Sequence, residues 1–352
     1  MENYDVALVG AGPIGLEMAV ALKRAGVNYV HFDARQIAHT ISGFAPQTRF
    51  FSSNDRIAIA GVPLQTPEQS KATREEYLAY LRTVAQFFQL RVKTYEAVEN
   101  IEPGAPGFLL TTRTAAGPRA CGARRIILAT GGTARPRRLG IQGEDLPHVT
   151  HDLGDPHRYF EKRVLVVGGK NSAVEAALRC HHAGARVAIS YRRAAFDPKC
   201  VKYWLLPELS GLIAARRIDA YFNTLVREIT TTQVNTVPAT LVDAFAGGVS
   251  GASGVQLEAD FVLLMVGFEA DMSLHRAAGV KLEGTSEVPV FNPETMETNV
   301  PGVYVAGTAV AGTQDGYQVF IENCHVHVAR IMAALQGQPP PAVPTPQEGP
   351  ES

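Results

Sequence analysis

What most restricts the fold of this chain is a unit that occurs twice: an apolar strand, a glycine-rich turn, a helix opened by that turn, and a second strand. The first copy reads as a strand from Asp5 to Val9, a turn from Gly10 to Gly15, a helix from Leu16 to Ala25 and a strand from Tyr29 to Asp33. The second reads as a strand from Arg163 to Val167, a turn from Gly168 to Ala173, a helix to about Ala183 and a strand from Arg186 to Ser190. Unbroken apolar strands alternating with helices predict parallel sheets covered on both faces. The fold class expected is therefore α/β, with two Rossmann-like dinucleotide-binding domains.

The rest of the chain fits around these copies. A strand from Arg124 to Leu128 runs into Ala129, Thr130, Gly131 and Gly132, and Pro136 then marks a linker. Apolar strands follow from Phe261 to Val266 and from Val303 to Ala306, and a helix is expected from about Tyr317 to Leu335. The small residues from Gly247 to Gly254 read as a hairpin or surface loop, and the proline-rich residues after 337 as a disordered tail. At 352 residues the chain exceeds one ordinary core, so two domains are expected.

Hydrophobic residues are 46%, charged residues 19% and the net charge −1, with arginines scattered, so neither nucleic acid nor an anionic membrane is expected as partner. No apolar run reaches the roughly 18 to 20 residues of a membrane span, and no basic leader precedes the first strand. A cytoplasmic location is expected. Cys121, Cys180, Cys200 and Cys324 form neither a C-x-x-C pair nor a zinc spacing, so no metal site is expected.

The first turn, Gly10-Ala11-Gly12-Pro13-Ile14-Gly15, follows the pattern G-x-G-x-x-G, and Asp33 ends the next strand 18 residues after the last glycine. Gly10 allows the tight turn, Gly12 lets a pyrophosphate approach the backbone, Gly15 lets helix and strand pack, and Asp33 suits a ribose diol. The second turn, Gly168-Gly169-Lys170-Asn171-Ser172-Ala173, puts Lys170 where the second glycine is expected. Its strand leads into Tyr191, Arg192 and Arg193, where an acid would suit a 2′-hydroxyl and arginine suits a 2′-phosphate. NADPH is the nicotinamide cofactor expected there.

With the turn at Ala129 to Gly131 and the run from Thr298 through Val300-Pro301-Gly302 to Gly307, the two turns resemble the low-molecular-weight thioredoxin reductases. Within that superfamily the chain resembles the YpdA type, the bacillithiol-disulfide reductases, through Phe50-Phe51-Ser52-Ser53, Gly168 to Ser172, Tyr203 to Glu208, Pro289 to Asn292, Glu294 to Val300 and Phe320 to Asn323. The resemblance implies an FAD domain formed by residues 1–135 and 267–337, with an NADPH domain of residues 136–266 inserted and a tail over 338–352. It implies FAD on Gly10, Gly12, Pro13, Ile14, Gly15, Asp33, Ala34, Phe51, Ser52, Thr130, Gly131, Gly307, Thr308 and Gln318, and NADPH on Gly168 to Ala173 with Tyr191, Arg192 and Arg193. It also implies a homodimer or larger homo-oligomer.

Three departures from these relatives bear on activity or on cofactor binding. The C-x-x-C of thioredoxin reductases is absent, and where the YpdA type carries a cysteine between proline and last glycine this chain has Ile14; Thr308 stands where most relatives have an aspartate. The expected activity is an NADPH-dependent flavoprotein oxidoreductase that passes electrons to a low-molecular-weight disulfide, a quinone or a small electron carrier without an intrinsic dithiol. The alternatives are a redox-sensing FAD/NADP(H)-binding protein with little turnover, or a flavin monooxygenase-like enzyme. No catalytic side chain is assigned; Cys324, in the C-terminal helix, and Phe51, beside the ring, are the candidates. The N-terminus of the helix expected from Tyr317 would favour negative charge on a reduced flavin.

Overall fold

The computed structural model describes residues 1–105, 107–239, 254–316 and 318–341. It divides into two units, one comprising Met1–Gly43, Gln47–Arg135 and the residues from Phe268 onward, the other Phe44–Pro46 and Pro136–Gly267.

The first unit begins with β1 (Glu2–Val9), whose last four residues are all buried, as a parallel strand covered on both faces requires. Helix α1 (Pro13–Arg24) starts with a proline that has no N–H to lose and ends with Lys23 and Arg24 beside its negative pole. It buries Leu16, Met18, Ala19, Val20 and Leu22. After β2 (Tyr29–Asp33), helix α2 (Arg74–Phe87) is started by a capping box in which Thr73 accepts from the N–H of Glu76 and the Glu76 carboxylate accepts from the N–H of Thr73. Strands β3 (Val92–Thr94), β4 (Ala97–Gly104), β5 (Gly107–Thr114) and β6 (Gly117–Leu128) follow.

The second unit contains β7 (Val149–Thr150), β8 (Arg163–Val167), α3 (Asn171–His182), β9 (Arg186–Tyr191), α4 (Leu206–Ala214), β10 (Asp219–Phe222), β11 (Thr224–Ile229), β12 (Gln233–Pro238), β13 (Gln256–Glu258) and β14 (Phe261–Leu264). The parallel strands lie in the order β10-β9-β8-β14-β7, and β11, β12 and β13 form a separate antiparallel sheet. Alternate residues of β8 divide its faces. Val164 and Val166 pack with Ala173, Val174, Ala177 and Leu178 of α3, while Leu165 and Val167 pack with Val226, Ile229, Val234 and Leu257 of the antiparallel sheet.

The chain returns to the first unit with β15 (Val303–Val305) and α5 (His325–Leu335). That unit's sheet runs β3-β2-β1-β6-β5-β4, with β15 also on β6. Only the end of β6, at Arg124 to Leu128, is expected from sequence, yet the strand is twelve residues long. Its first part pairs antiparallel with β5 from Gly117 to Ala123, and its last three residues pair parallel with β15. One strand edge thus serves a local hairpin and then a segment from far along the chain. The core includes Val6, Leu8, Met18, Phe32, Ile126 and Val305, each fully buried or nearly so; each such large side chain contributes about 1.5 to 3 kcal/mol.

The C-terminal helix begins at His325, not near Tyr317, and Tyr317 itself lies outside the described residues. Side-chain amides divert the backbone before it. Gln314 Oε1 accepts from the N–H groups of Gln318 and Val319, Asn323 Oδ1 accepts from the N–H of Phe320, and Asn323 Nδ2 donates to the carbonyl of Gln318. These bonds hold an extended turn that competes with helix. The expected loop at residues 247–253 and the tail beyond residue 341 also lie outside the described residues. Among the described residues no helix is long and apolar enough to cross a membrane.

Candidate functional site

In the first unit the turn between β1 and α1 is forced by close packing. Gly10 has φ +104°, and a Cβ there would lie 2.3 Å from the carbonyl oxygen of Ala129; a Cβ on Gly15 would lie 2.0 Å from the carbonyl oxygen of Gly10. Around Gly12, in contrast, nothing lies within 4 Å of the added Cβ. Two of the three glycines therefore let strand, helix and neighbouring strand touch, and the middle one faces open space. No side chain caps α1, Pro13 has no N–H, and the N–H groups of Ile14 and Gly15 have no acceptor among the described residues. Free N–H groups at a helix start, beside a turn open at its middle glycine, fit a pyrophosphate.

Asp33, at the end of β2, has its carboxylate fixed by two backbone donors, the N–H of Ala11 at 2.7 Å and that of Arg35 at 2.8 Å. Each oxygen keeps a further lone pair for a ribose hydroxyl. Ala34 follows it and is exposed. His31, two residues earlier and wholly buried, donates from Nε2 to the carbonyl of Gly10 at 2.9 Å. Burial lowers its pKa to about 4, so the ring is neutral with the proton on Nε2.

Facing this turn are Ala129 to Gly132 and Gly307 with Thr308. The Thr308 hydroxyl accepts from the N–H of Gly132 at 2.9 Å, tying the two segments together, and the hydroxyl oxygen of Thr130 is buried with no partner. Such an orphaned group is what a polar ligand would satisfy. A Cβ on Gly307 would sit 3.5 Å from that of Ile14, whose side chain is 5% exposed. The N–H of Gly307 donates to His327 Nδ1 at 3.2 Å, and burial lowers the pKa of His327 to about 4.

His325, two residues before, points the other way. Its Nδ1 meets Glu17 of α1 at 2.7 Å and its Nε2 meets the carbonyl of Arg56 at 2.9 Å. Two acceptors favour the doubly protonated ring. Burial alone would lower its pKa, but the hydrogen bond and charge of Glu17 outweigh that and raise it. Gln318 is exposed and bonded to Gln314 and Asn323, and Ser52 is buried. Phe51 accepts at its carbonyl from the ammonium of Lys71, which also lies 5.2 Å over its ring. Phe50 meets the ring of Tyr77 edge-on at 4.6 Å.

Cys324 is sealed in the core of this unit at 0% exposure, and burial pushes its thiol far above the usual range. A reactive thiol needs access and a stabilised thiolate, and Cys324 has neither. Cys180, buried in the other unit, is pushed up to about 12; Cys121 is buried and raised; Cys200 is partly exposed.

In the second unit, α3 begins at Asn171 with Lys170 as an extended N-cap and no side-chain cap, leaving the N–H groups of Asn171, Ser172 and Ala173 without acceptors among the described residues. Asn171 instead accepts, through Oδ1, from the N–H of Lys202 at 2.6 Å, and the Lys202 ammonium meets Glu175 at 3.1 Å. Gly169 lies over the ring of Tyr191, where an added Cβ would come within 2.4 Å of ring carbons, so Tyr191 is the buried floor of the turn. Gly168 and Ala173 meet as the packing pair, with 2.9 Å between an added Cβ and that of Ala173. Arg192 and Arg193, just after β9, are exposed, and neither guanidinium has a protein partner among the described residues.

His31, Glu17 and Lys71 are absent from the residues singled out by sequence, and His325 and His327 stand out there only as neighbours of Cys324 that point to different sides of a helix and so form no metal cluster with it. A histidine in the otherwise apolar run Tyr29 to Phe32 is a visible signal for His31; the others meet their partners only through tertiary packing. Among the described residues no group of His, Cys, Asp and Glu could hold a metal ion.

The paired glycine turns define a class, and comparison with known proteins agrees: residues 7–307 match the pyridine nucleotide-disulphide oxidoreductase family, and the chain belongs to it. It is an NAD(P)H-dependent flavoprotein oxidoreductase whose cofactors are FAD and NADPH. Within the family it is 33% identical to the bacilliredoxin reductase Bdr of Bacillus subtilis, over 95% of this chain and 98% of that one. The bacillithiol disulfide reductase Bdr (YpdA) from Bacillus cereus superposes with a TM-score of 0.87 at 30% identity, covering 96% of this chain and 99% of that one. A ferredoxin–NADP reductase from Ignicoccus hospitalis is 28% identical over 86% of this chain and 89% of its own. The thioredoxin reductase of T. acidophilum, at 21% identity and a TM-score of 0.71 over 96% of this chain and 99% of that one, shares the fold.

Proposed function

We propose that the chain uses NADPH to reduce FAD and delivers the electrons directly to a small disulfide-bearing acceptor, with no protein thiol as relay. The observation that carries this reading is Ile14: a buried hydrocarbon side chain facing Gly307 occupies the position at which the resembled family has its cysteine. The cysteine inventory supports it, since all four are free and Cys121, Cys180 and Cys324 are buried. Similarity to a bacilliredoxin reductase and a bacillithiol disulfide reductase favours a disulfide over a quinone as acceptor.

In this reading the bound cofactors supply the hydride and electron-transfer chemistry. The residues bind and orient. Gly10 to Gly15 with the α1 N-terminus hold the flavin nucleotide's pyrophosphate, Asp33 its ribose, and Thr130, Gly131, Gly307 and Thr308 the facing wall. Lys71 fixes Phe51 through its carbonyl. Gly168 to Ala173 hold the NADPH pyrophosphate with Lys170 adding charge, and Arg192 and Arg193 take the 2′-phosphate.

The test is steady-state NADPH oxidation with bacillithiol disulfide, other low-molecular-weight disulfides and a bacilliredoxin as acceptors, using the native chain, Cys200→Ser and Cys324→Ser. Turnover unchanged in both variants is expected. Loss of disulfide turnover in either would overturn a route without cysteine, and turnover with quinones alone would overturn the acceptor class. Arg192→Ala with Arg193→Ala should raise KM for NADPH about tenfold or more and leave NADH unaffected.

A further inference from the structure

The parallel sheet of the second unit has a working end and an opposite end. At the carboxyl end of β8 is the Gly168 turn; about 16 Å away, at the rise of a strand, is the amino end, where β8 and β9 start. A groove of about 580 Å³ opens at that amino end, floored by Val164, Val187, Ala188 and Leu257. This volume is within the range of small-molecule sites.

The polar groups around the groove are unevenly satisfied. Arg163 is neutralised, meeting Asp260 at 2.7 Å and also Glu258. Arg186, from the first position of β9, and Arg217, beyond the end of α4, line the same groove and have no carboxylate partner among the described residues. His181, from the last turn of α3, joins them, and the side chains of Tyr221 and Gln256 are likewise without a protein hydrogen bond. Among the described residues Asp219 is the only acid lining the groove that is not already engaged by Arg163. Scattered exposed arginines need no explanation. Two unpaired guanidiniums on one concave wall are different, because their fields add there and attract a counter-charge. The His181 ring registers the Arg217 charge: its pKa is lowered first by burial and then by Arg217 and His182, against an opposing pull from Glu208.

We propose that this groove binds a small organic phosphate, with its phosphate oxygens on Arg186 and Arg217 and its polar remainder against Asp219, Tyr221 and Gln256. Arginine matches phosphate because its fork offers two parallel donors. The site is separate from the nucleotide turn and does not depend on which acceptor the flavin reduces.

Calorimetric titration of the FAD-loaded full-length protein with inorganic pyrophosphate at low salt, with NADP+ saturating the Gly168 turn, tests it, because with that turn occupied a simple phosphate probe isolates the arginine interaction. The native chain and an Arg192→Gln, Arg193→Gln variant should bind, and an Arg186→Gln, Arg217→Gln variant should bind at least about tenfold more weakly. Asp219→Asn should bind more tightly than native, a gain that misfolding cannot produce. No heat from the native chain at millimolar pyrophosphate, unchanged binding in the Arg186 and Arg217 variant, or no gain in Asp219→Asn would each overturn the proposal. Binding lost only with Arg192 and Arg193 would put the anion at the nucleotide turn and overturn it as well.

Discussion

Acid should unfold the first unit by way of three neutral histidines. His31, His275 and His327 all lie in that unit, and burial lowers each pKa from 6.5 to about 4. Their folded values are depressed, so the unfolded chain binds more protons between pH 6.5 and 4. The stability they lend is present above 6.5 and is lost as pH falls toward 4. For one such histidine the linkage integral gives about 2 kcal/mol lost between pH 7 and pH 5, hence about 6 kcal/mol for the three. That is a large part of the roughly 5 to 15 kcal/mol that stabilises a domain. His325, whose pKa is raised, works in the opposite sense: its contribution is present below the unfolded value and lost as pH rises through the folded one, so it offsets part of the acid loss. The assay is urea denaturation at constant ionic strength at pH 7, 6 and 5, followed by flavin fluorescence and circular dichroism. His275 supplies the control, because both its ring nitrogens are buried without a partner. His275→Leu should keep stability at pH 7 and remove about 2 kcal/mol, a third of the acid loss. A variant with the native pH dependence would refute the reasoning.

Gly15→Ala drives a methyl group into the Gly10 carbonyl at 2.0 Å, so the purified protein should lose bound FAD and melt at lower temperature; a fully yellow, equally stable variant would disprove that packing requirement. Asp33→Asn keeps the shape but removes the charge that orients the Ala11 and Arg35 N–H groups, and dialysis should strip its FAD about tenfold more readily, read by absorbance at the flavin band. Iodoacetamide on the folded chain at pH 8 should label Cys200 first and leave Cys121, Cys180 and Cys324 protected, as mass mapping would show. Lys202→Met leaves Glu175, a largely buried carboxylate, without the ammonium at 3.1 Å, and should lower the melting temperature of the second unit by several degrees.

Much of the α/β fold is local in origin and therefore legible. Strands from Tyr29 to Asp33 and from Arg163 to Val167 appear where their apolar runs place them, because a buried parallel strand must be apolar throughout. The β4–β5 hairpin goes unread, since its mixed polarity is settled by the neighbours it packs against, and helix α2 goes unread although its Thr73 to Glu76 capping box is a local signal. The helix expected from Tyr317 fails because residues 318–320 and Asn323 form bonds of their own that periodicity does not register.

At the Gly10 turn the division is equally physical. Sequence by itself determined the glycine spacing, the terminal acid Asp33, the absence of a dithiol and the isoleucine at position 14, because each is a matter of which side chain stands at which interval. Tertiary structure decided the rest: that Thr308 is tied to Gly132, that His31 supports the Gly10 carbonyl, that Cys324 is sealed in the core, and that Glu17 meets His325 from 308 residues away. These depend on what the folded chain brings within a few ångströms, and no local pattern encodes that distance.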